Sequence, residues 1–214
     1  MEAALALVDA QGVEALSMPA LAARLDCGVM TLYGYVDSKD DLLQALWQRG
    51  LADTRWPEPL PQDAADLLLA WGRALRQTLL RHPSLAAIFL SRAVVGPVIF
   101  YGMETMLRVL TAVGYAAGAA VHAIYAVNTY TIGFVAWEAP RTLRQPQARY
   151  AASWRQVYAG LAPDEFPLSG TVLADLGEVA GEAQFELGLT ALVAGLVARD
   201  LAPQAGRHAS PPAR

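Results

Sequence analysis

From Val109 to Trp137 the chain runs for 29 residues without an Asp, Glu, Lys or Arg. A stretch that long and apolar either spans a bilayer or forms a helix enclosed by other protein. His122, Asn128, Thr129, Thr131 and several glycines lie inside it, and neither flank carries a clear basic cluster; both features argue against a membrane span. The expected form is a helix from about Ala116 to Ala139 buried on all sides, so the rest of the chain must supply the surfaces that bury it. With 55% hydrophobic residues among 214, it has the material.

The surrounding sequence is helical too. Runs alternating apolar and polar residues are missing, and apolar residues recur at spacings of three and four. The class is all-α. A first helix is expected over about Glu2 to Gln11, stopped by Gly12. Ser17 caps a second at Met18 to Leu25, with Pro19 in its first turn. Asp26-Cys27-Gly28 turns the chain into a short third helix, Val29 to Val36, and Ser38 caps a fourth beginning near Lys39. The proline cluster Trp56-Pro57-Glu58-Pro59-Leu60-Pro61 cannot continue a helix. The chain therefore divides into a domain over 1–50, a linker over 51–61, a helical domain over 62–201 and a disordered tail over 202–214. Within the second domain, Pro163 to Leu176 reads as a loop and Gly177 to Leu201 as the final helix.

Charge and chemistry narrow the function. Net charge is −4, with 15 Arg and a single Lys, so the whole molecule lacks the basic excess of many nucleic-acid binders. One cysteine, Cys27, rules out an internal disulfide and fits a reducing cytoplasm. The first residues lack a basic segment followed by an apolar run, so no secretory signal is expected. His82, His122 and His208 are far apart without Glu or Cys at metal-ligand spacing, and no glycine-rich phosphate loop occurs. Neither a metal, a cofactor nor an enzyme is expected.

The most informative stretch is Gly12 to Leu46. Leu16, Leu21, Ala22, Leu25, Leu32 and Val36 fall where two short helices would face each other and the first helix, with Ala22 small enough for a close crossing. The opposite side of Val29 to Tyr35 is left exposed. In one unbroken register the stretch carries Gly12, Leu16, Leu21-Ala22, Leu25, Thr31-Leu32-Tyr33, Tyr35-Val36, Lys39 and Leu42-Leu43. That pattern resembles the helix-turn-helix region of the tetracycline-repressor (TetR) family.

The resemblance implies an N-terminal three-helix helix-turn-helix domain and a C-terminal helical domain that binds a ligand and dimerises. It implies that Val29, Met30 and Thr31 lie against bases, that Tyr33 and Lys39 meet phosphates with Tyr35 near the backbone, and that Ser17 is among the DNA-binding residues. Lys39, the only lysine, stands where the family places a phosphate-binding lysine. There are departures. Residues 1–50 hold three basic against seven acidic residues, so few phosphates can be neutralised and the salt dependence should be shallow. Met18 and Pro19 stand where relatives often offer hydroxyl or basic groups, and base reading would lean on Val29 or Met30 against thymine methyls.

In the second domain, aromatic, sulfur and uncharged polar side chains suggest an apolar cavity with a few convergent polar groups. The expected lining is Trp71, Phe89, Phe100, Met103, His122, Tyr125, Asn128, Thr129 and Trp154, around a small, uncharged or weakly charged, apolar or aromatic effector. The resemblance also implies a homodimer through the long helix from Ala116 and the last helix from Gly177, with Gly188, Ala191, Ala194 and Gly195 permitting close approach. The functional expectation is a cytoplasmic, ligand-responsive repressor that binds a palindromic operator. The alternative is a small-molecule-sequestering protein of the same fold with weak or lost DNA binding.

Overall fold

The computed structural model describes residues 1–91, 96–143, 147–162 and 164–201. Among these there are twelve α-helices and no strand: α1 (Glu2–Gln11), α2 (Met18–Arg24), α3 (Val29–Tyr33), α4 (Lys39–Ala52), α5 (Ala64–Arg81), α6 (Pro83–Ser91), α7 (Pro97–Ala112), α8 (Ala117–Thr142), α9 (Gln147–Ala159), α10 (Pro167–Thr171), α11 (Leu173–Glu178) and α12 (Glu182–Leu201). A short 3-10 turn, Val13–Ala15, follows α1.

Local chemistry sets the ends of the first helices. Gly12 takes φ 87°, a left-handed geometry that stops α1. Ser17 and Ser38 accept from the N–H groups of Ala20 and Asp41, each three residues on, and so cap α2 and α4. Asp40 and Asp41 in the first turn of α4 and Arg49 in its last complement the helix dipole. Leu42, Leu43, Leu46, Trp47 and Gly50 form the buried face of α4. This face packs on α5, α6 and α7. At Gly50 any Cβ would collide with Leu85 of α6, so the crossing depends on a missing side chain.

The uncharged segment is the centre of the second unit. α8 packs against α5, α6, α7, α9 and α12, although its length and hydropathy would also suit a membrane span. Ala120, Ala123, Ile124, Val127, Ile132 and Val135 are buried along it, but Gly118, His122, Tyr125, Thr129 and Gly133 form an exposed stripe, so α8 is not buried on all sides as its composition suggested. Across this core the guanidinium of Arg76 (α5) makes a two-pronged bond to Glu138 (α8), at 2.6 and 3.0 Å, and lies 4.9 Å from the centre of the Phe185 ring (α12). Such a buried pair is held by its geometry and its stacking.

Several boundaries differ from the sequence reading. α3 ends at Tyr33 rather than Val36, and α4 runs to Ala52, two residues into the segment expected as linker. Pro140 does not end α8, which continues to Thr142. The segment expected as a loop before Leu176 holds α10 and α11, because α11 finds a tertiary partner in α9. Gly177 consequently lies within α11 against Ala151, and the last helix starts at Glu182. Leu25, expected in the core, is 45% exposed beyond the end of α2, and the tail over 202–214 lies outside the described residues.

Candidate functional site

Two features stand out, a short helix with an exposed face and a partly open apolar cavity. Leu16, Leu21, Ala22 and Leu32 are buried between α1, α2 and α3, and Met18 joins them. Burying Leu32 turns the other face of α3 outward. Met30 is 80% exposed, Thr31 is exposed, and Tyr33 is 44% exposed, while Tyr35, in the turn after α3, is 84% exposed. Val29 is half-buried against the core. An apolar side chain so exposed at the start of a helix has no core to serve and is available to a base edge. Lys39, half-buried, is the first residue of α4, and the exposed Ser17 hydroxyl caps α2.

The cavity has a volume of about 290 Å³ and lies between α4, α5, α6, α7 and α8. α4 contributes Trp47 and Leu51, α5 Trp71 and Leu75, and α6 Phe89. Ile99, Gly102, Met103 and Met106 recur at helical spacing along α7, and Ile124, Tyr125, Asn128 and Ile132 do so along α8. The walls are stiffened by ring contacts: Trp47 stacks on Phe89 with centres 5.4 Å apart, and Trp71 on Trp56 at 4.7 Å. The indole N–H of Trp71 donates to Asn128 Oδ1 at 2.6 Å. No Asp, Glu, Lys, Arg or His lines the cavity among the described residues, so it offers no counter-charge to an ionised guest. No group of three or more His, Cys, Asp or Glu able to hold a metal occurs among them either.

Comparison with known proteins joins these features. Residues 1–46 match the family described as bacterial regulatory proteins, tetR family, and residues 57–199 match the tetracyclin repressor-like C-terminal domain. The chain belongs to the TetR family. Its TetR-family relatives include an HTH-type transcriptional regulator of Saccharopolyspora erythraea, 32% identical over 92% of this chain and 83% of that protein. The class A tetracycline repressor of Escherichia coli is 31% identical over 94% of this chain and 90% of its own length. Among solved structures, the TetR family protein ActR of Streptomyces coelicolor, in complex with actinorhodin, aligns with a TM-score of 0.78 at 29% identity, covering 93% of each chain. A TetR-family chain is a DNA-binding transcription factor rather than an enzyme.

Within this TetR-family fold the residues singled out from sequence divide cleanly. The structure brings Trp71, Phe89, Met103, Tyr125 and Asn128 together around the cavity. Phe100, His122, Thr129 and Trp154 fall outside it. Phe100 is 69% exposed because it stands one position, ~100° of helix rotation, from the α7 face made by Ile99 and Met103. On α8, Asn128 and Ile132 lie within ~80° of Ile124, whereas Thr129 and His122 are turned by ~140° and ~160° and are exposed. Trp154 is 38% exposed on α9, edge-on to Tyr150.

Sequence reasoning missed Trp47, which belongs by position to the DNA-reading half, and Leu51, the first residue of the segment expected as linker. The signal was present, since Trp47 continues the buried Leu43-Leu46 face of α4. Gly188 also differs from expectation: a Cβ there would collide with Tyr130 of the same chain, so its smallness serves packing within the subunit.

Proposed function

We propose that this TetR-family regulator is a homodimeric repressor that places two copies of α3 in successive major grooves of a palindromic operator and lets go when an uncharged, planar aromatic effector fills the cavity. In each subunit Val29, Met30 and Thr31 read base edges, and Tyr33, Tyr35, Ser17 and Lys39 hold the backbone. The observation that carries the reading is the dual position of α4. Lys39 begins this helix, and Trp47, eight residues or ~12 Å further along, is a wall of the cavity. A guest that displaces Trp47 and Leu51 moves the phosphate anchor with them, and the conformer it favours has the wrong separation between the two α3 helices.

The effector class follows from the cavity, with aromatic walls and no ionised group; that this domain takes a small molecule at all is supported by the ActR complex with actinorhodin. For the dimer, the exposed stripe Gly118, His122, Thr129 and Gly133 on α8, with Leu187, Ala191, Ala194 and Gly195 on α12, supplies small-residue surfaces suited to close helix pairing. The protein acts in the cytoplasm, where its operator is.

The test is a footprint on the DNA flanking the protein's own gene. A protected palindrome at low salt, lost on adding a polycyclic aromatic ketone, is the expected result; no protection at any salt would overturn it. The acidic first domain favours a second reading, a sequestering protein that has lost operator binding. That reading predicts aromatic ligand binding with no footprint.

A further inference from the structure

α7 borders two spaces. Ile99, Met103 and Met106 line the cavity described above, whereas Tyr101 and Thr105 line a second chamber of about 310 Å³ beside it, with Trp56 as a further wall. The two sets of α7 residues centre ~150° apart around the helix, and Val98 and Gly102 fall between them. The spaces meet there: Leu51, Trp71, Val98 and Gly102 line both.

Nothing local calls for a glycine at 102. It lies inside α7, and its backbone is not among the positive-φ glycines, which are Gly12 and Gly114 among the described residues. Packing does not require it either, since a Cβ there would meet only the Trp56 ring, at an ordinary contact distance of 3.8 Å. Glycine disfavours a helix interior relative to alanine. What the missing side chain does achieve is to leave the junction of the two spaces clear. The gain is one of size. A cavity of about 290 Å³ stands at the small end of the ~300–1,000 Å³ usual for small-molecule sites, and the chamber roughly doubles it. No Asp, Glu, Lys, Arg or His lines the chamber among the described residues, and the stacked Trp56 and Trp71 give it an aromatic wall.

We propose that Gly102 is a specificity-determining position that lets the effector extend from the cavity past the α7 ridge into the chamber. The inference rests on the ligand-binding part of the proposed function and deepens it: the guest is an elongated, uncharged molecule with two aromatic parts. A ring system fills the cavity, and a second aryl arm lies in the chamber beside Tyr101 and Thr105.

The experiment uses the full-length protein without DNA and two uncharged probes, 2-acetylnaphthalene and the longer ketone made by adding a benzyl group to its methyl carbon. Titration should show the longer ketone binding about tenfold more tightly, because burial of the arm outweighs the cost of ordering it. In Gly102→Leu, whose side chain occupies the junction, that ratio should fall to about one, with 2-acetylnaphthalene held within about threefold of its wild-type affinity. Gly102→Ala should melt at a higher temperature than wild type, as a helix does on losing a glycine that packing does not need. Independently of how any variant folds, the phenyl protons of the longer ketone should show nuclear Overhauser contacts to Tyr101 and Thr105 in the wild-type protein.

A longer ketone that gains nothing in wild type, an advantage that survives in Gly102→Leu, a lower melting temperature in Gly102→Ala, or an arm without contact to Tyr101 and Thr105 would each overturn the inference. If 2-acetylnaphthalene binds in those cases, the ligand-binding reading still stands; binding of neither ketone overturns both. A failed footprint bears on the repressor reading alone, since no DNA takes part in these measurements.

Discussion

Asp9 near the end of α1 accepts hydrogen bonds from both the backbone N–H of Ser84, at 3.3 Å, and its hydroxyl. Ser84 is the second residue of α6, and the other Asp9 oxygen lies 2.9 Å from His82 Nδ1. A carboxylate of the DNA-reading half thus caps a helix whose far end carries Phe89 in the cavity wall. α1 and the cavity are joined by one side chain as well as by α4.

Replacing Asp9 with Ala should remove this cap and cost about 1 kcal/mol of stability, read by thermal or urea unfolding. More tellingly, ligand affinity should be nearly unchanged while more ligand is needed to release operator, because α6 no longer pulls on α1. An unaltered release curve would show that α4 transmits the signal alone.

Lys39→Ala should weaken operator binding uniformly across sequences and lower the slope of log affinity against log salt by about one unit. Met30→Ala should instead change preference at one base pair in each half-site and leave the slope alone, since it carries no charge. Gel shifts on a set of operator variants at several salt concentrations separate the two. Identical effects from both substitutions would refute the division of labour along α3 and α4.

Glu138→Ala leaves Arg76 uncompensated between α5, α8 and α12, with side chains that were only 12% and 3% exposed. The expected loss is about 3–5 kcal/mol in urea unfolding. The double change Arg76→Met with Glu138→Leu should recover most of it, because no isolated charge remains buried. A single-substitution cost under about 1 kcal/mol would mean that water reaches the site and screens the charge.

Arg73 holds the Glu186 carboxyl below the ordinary glutamate range, chiefly through its hydrogen bond; burial acts the other way, and the pair's charge attraction adds to the lowering. A carboxylate whose folded pKa is depressed stabilises the fold above its unfolded value and loses that contribution as pH falls through the folded one. Wild type should therefore exceed Glu186→Gln in stability at neutral pH and converge with it in the acid limb, beneath a pH of about 4.3. Arg73 and Glu186 are 48% and 32% exposed, so solvent screening keeps the difference to about 0.5 kcal/mol. Stability curves that stay parallel down to pH 2 would show that the bridge contributes nothing.

Legibility in the sequence followed the range of the interactions. The helix-turn-helix core is built by residues within about 35 positions of one another, so spacing placed Leu16, Leu21, Ala22 and Leu32 inside, missing only at Leu25, and the family resemblance placed Met30 and Tyr33 on the outer face. Caps were legible for the same reason, since Ser17 and Ser38 act three residues away. The cavity was only half legible. Trp71 and Asn128 are 57 residues apart and their hydrogen bond depends on how α5 and α8 are rotated against each other. His122 and Thr129 looked as suitable as Asn128 because Tyr125, at the edge of the lining face, lies three or four residues from each of them, and only the packed orientation of α8 turns those two away.

Composition and periodicity by themselves determined an all-helical chain, a short presented helix near Thr31 and a central uncharged helix, because helix formation, capping and turn chemistry are decided by near neighbours. Tertiary packing alone decided that Trp47 of α4 enters the cavity, that α11 forms against α9, and that Gly188 makes room for Tyr130. Those outcomes depend on which helix faces meet across long stretches of chain, and burial rewards the best-fitting set of faces rather than any one local pattern.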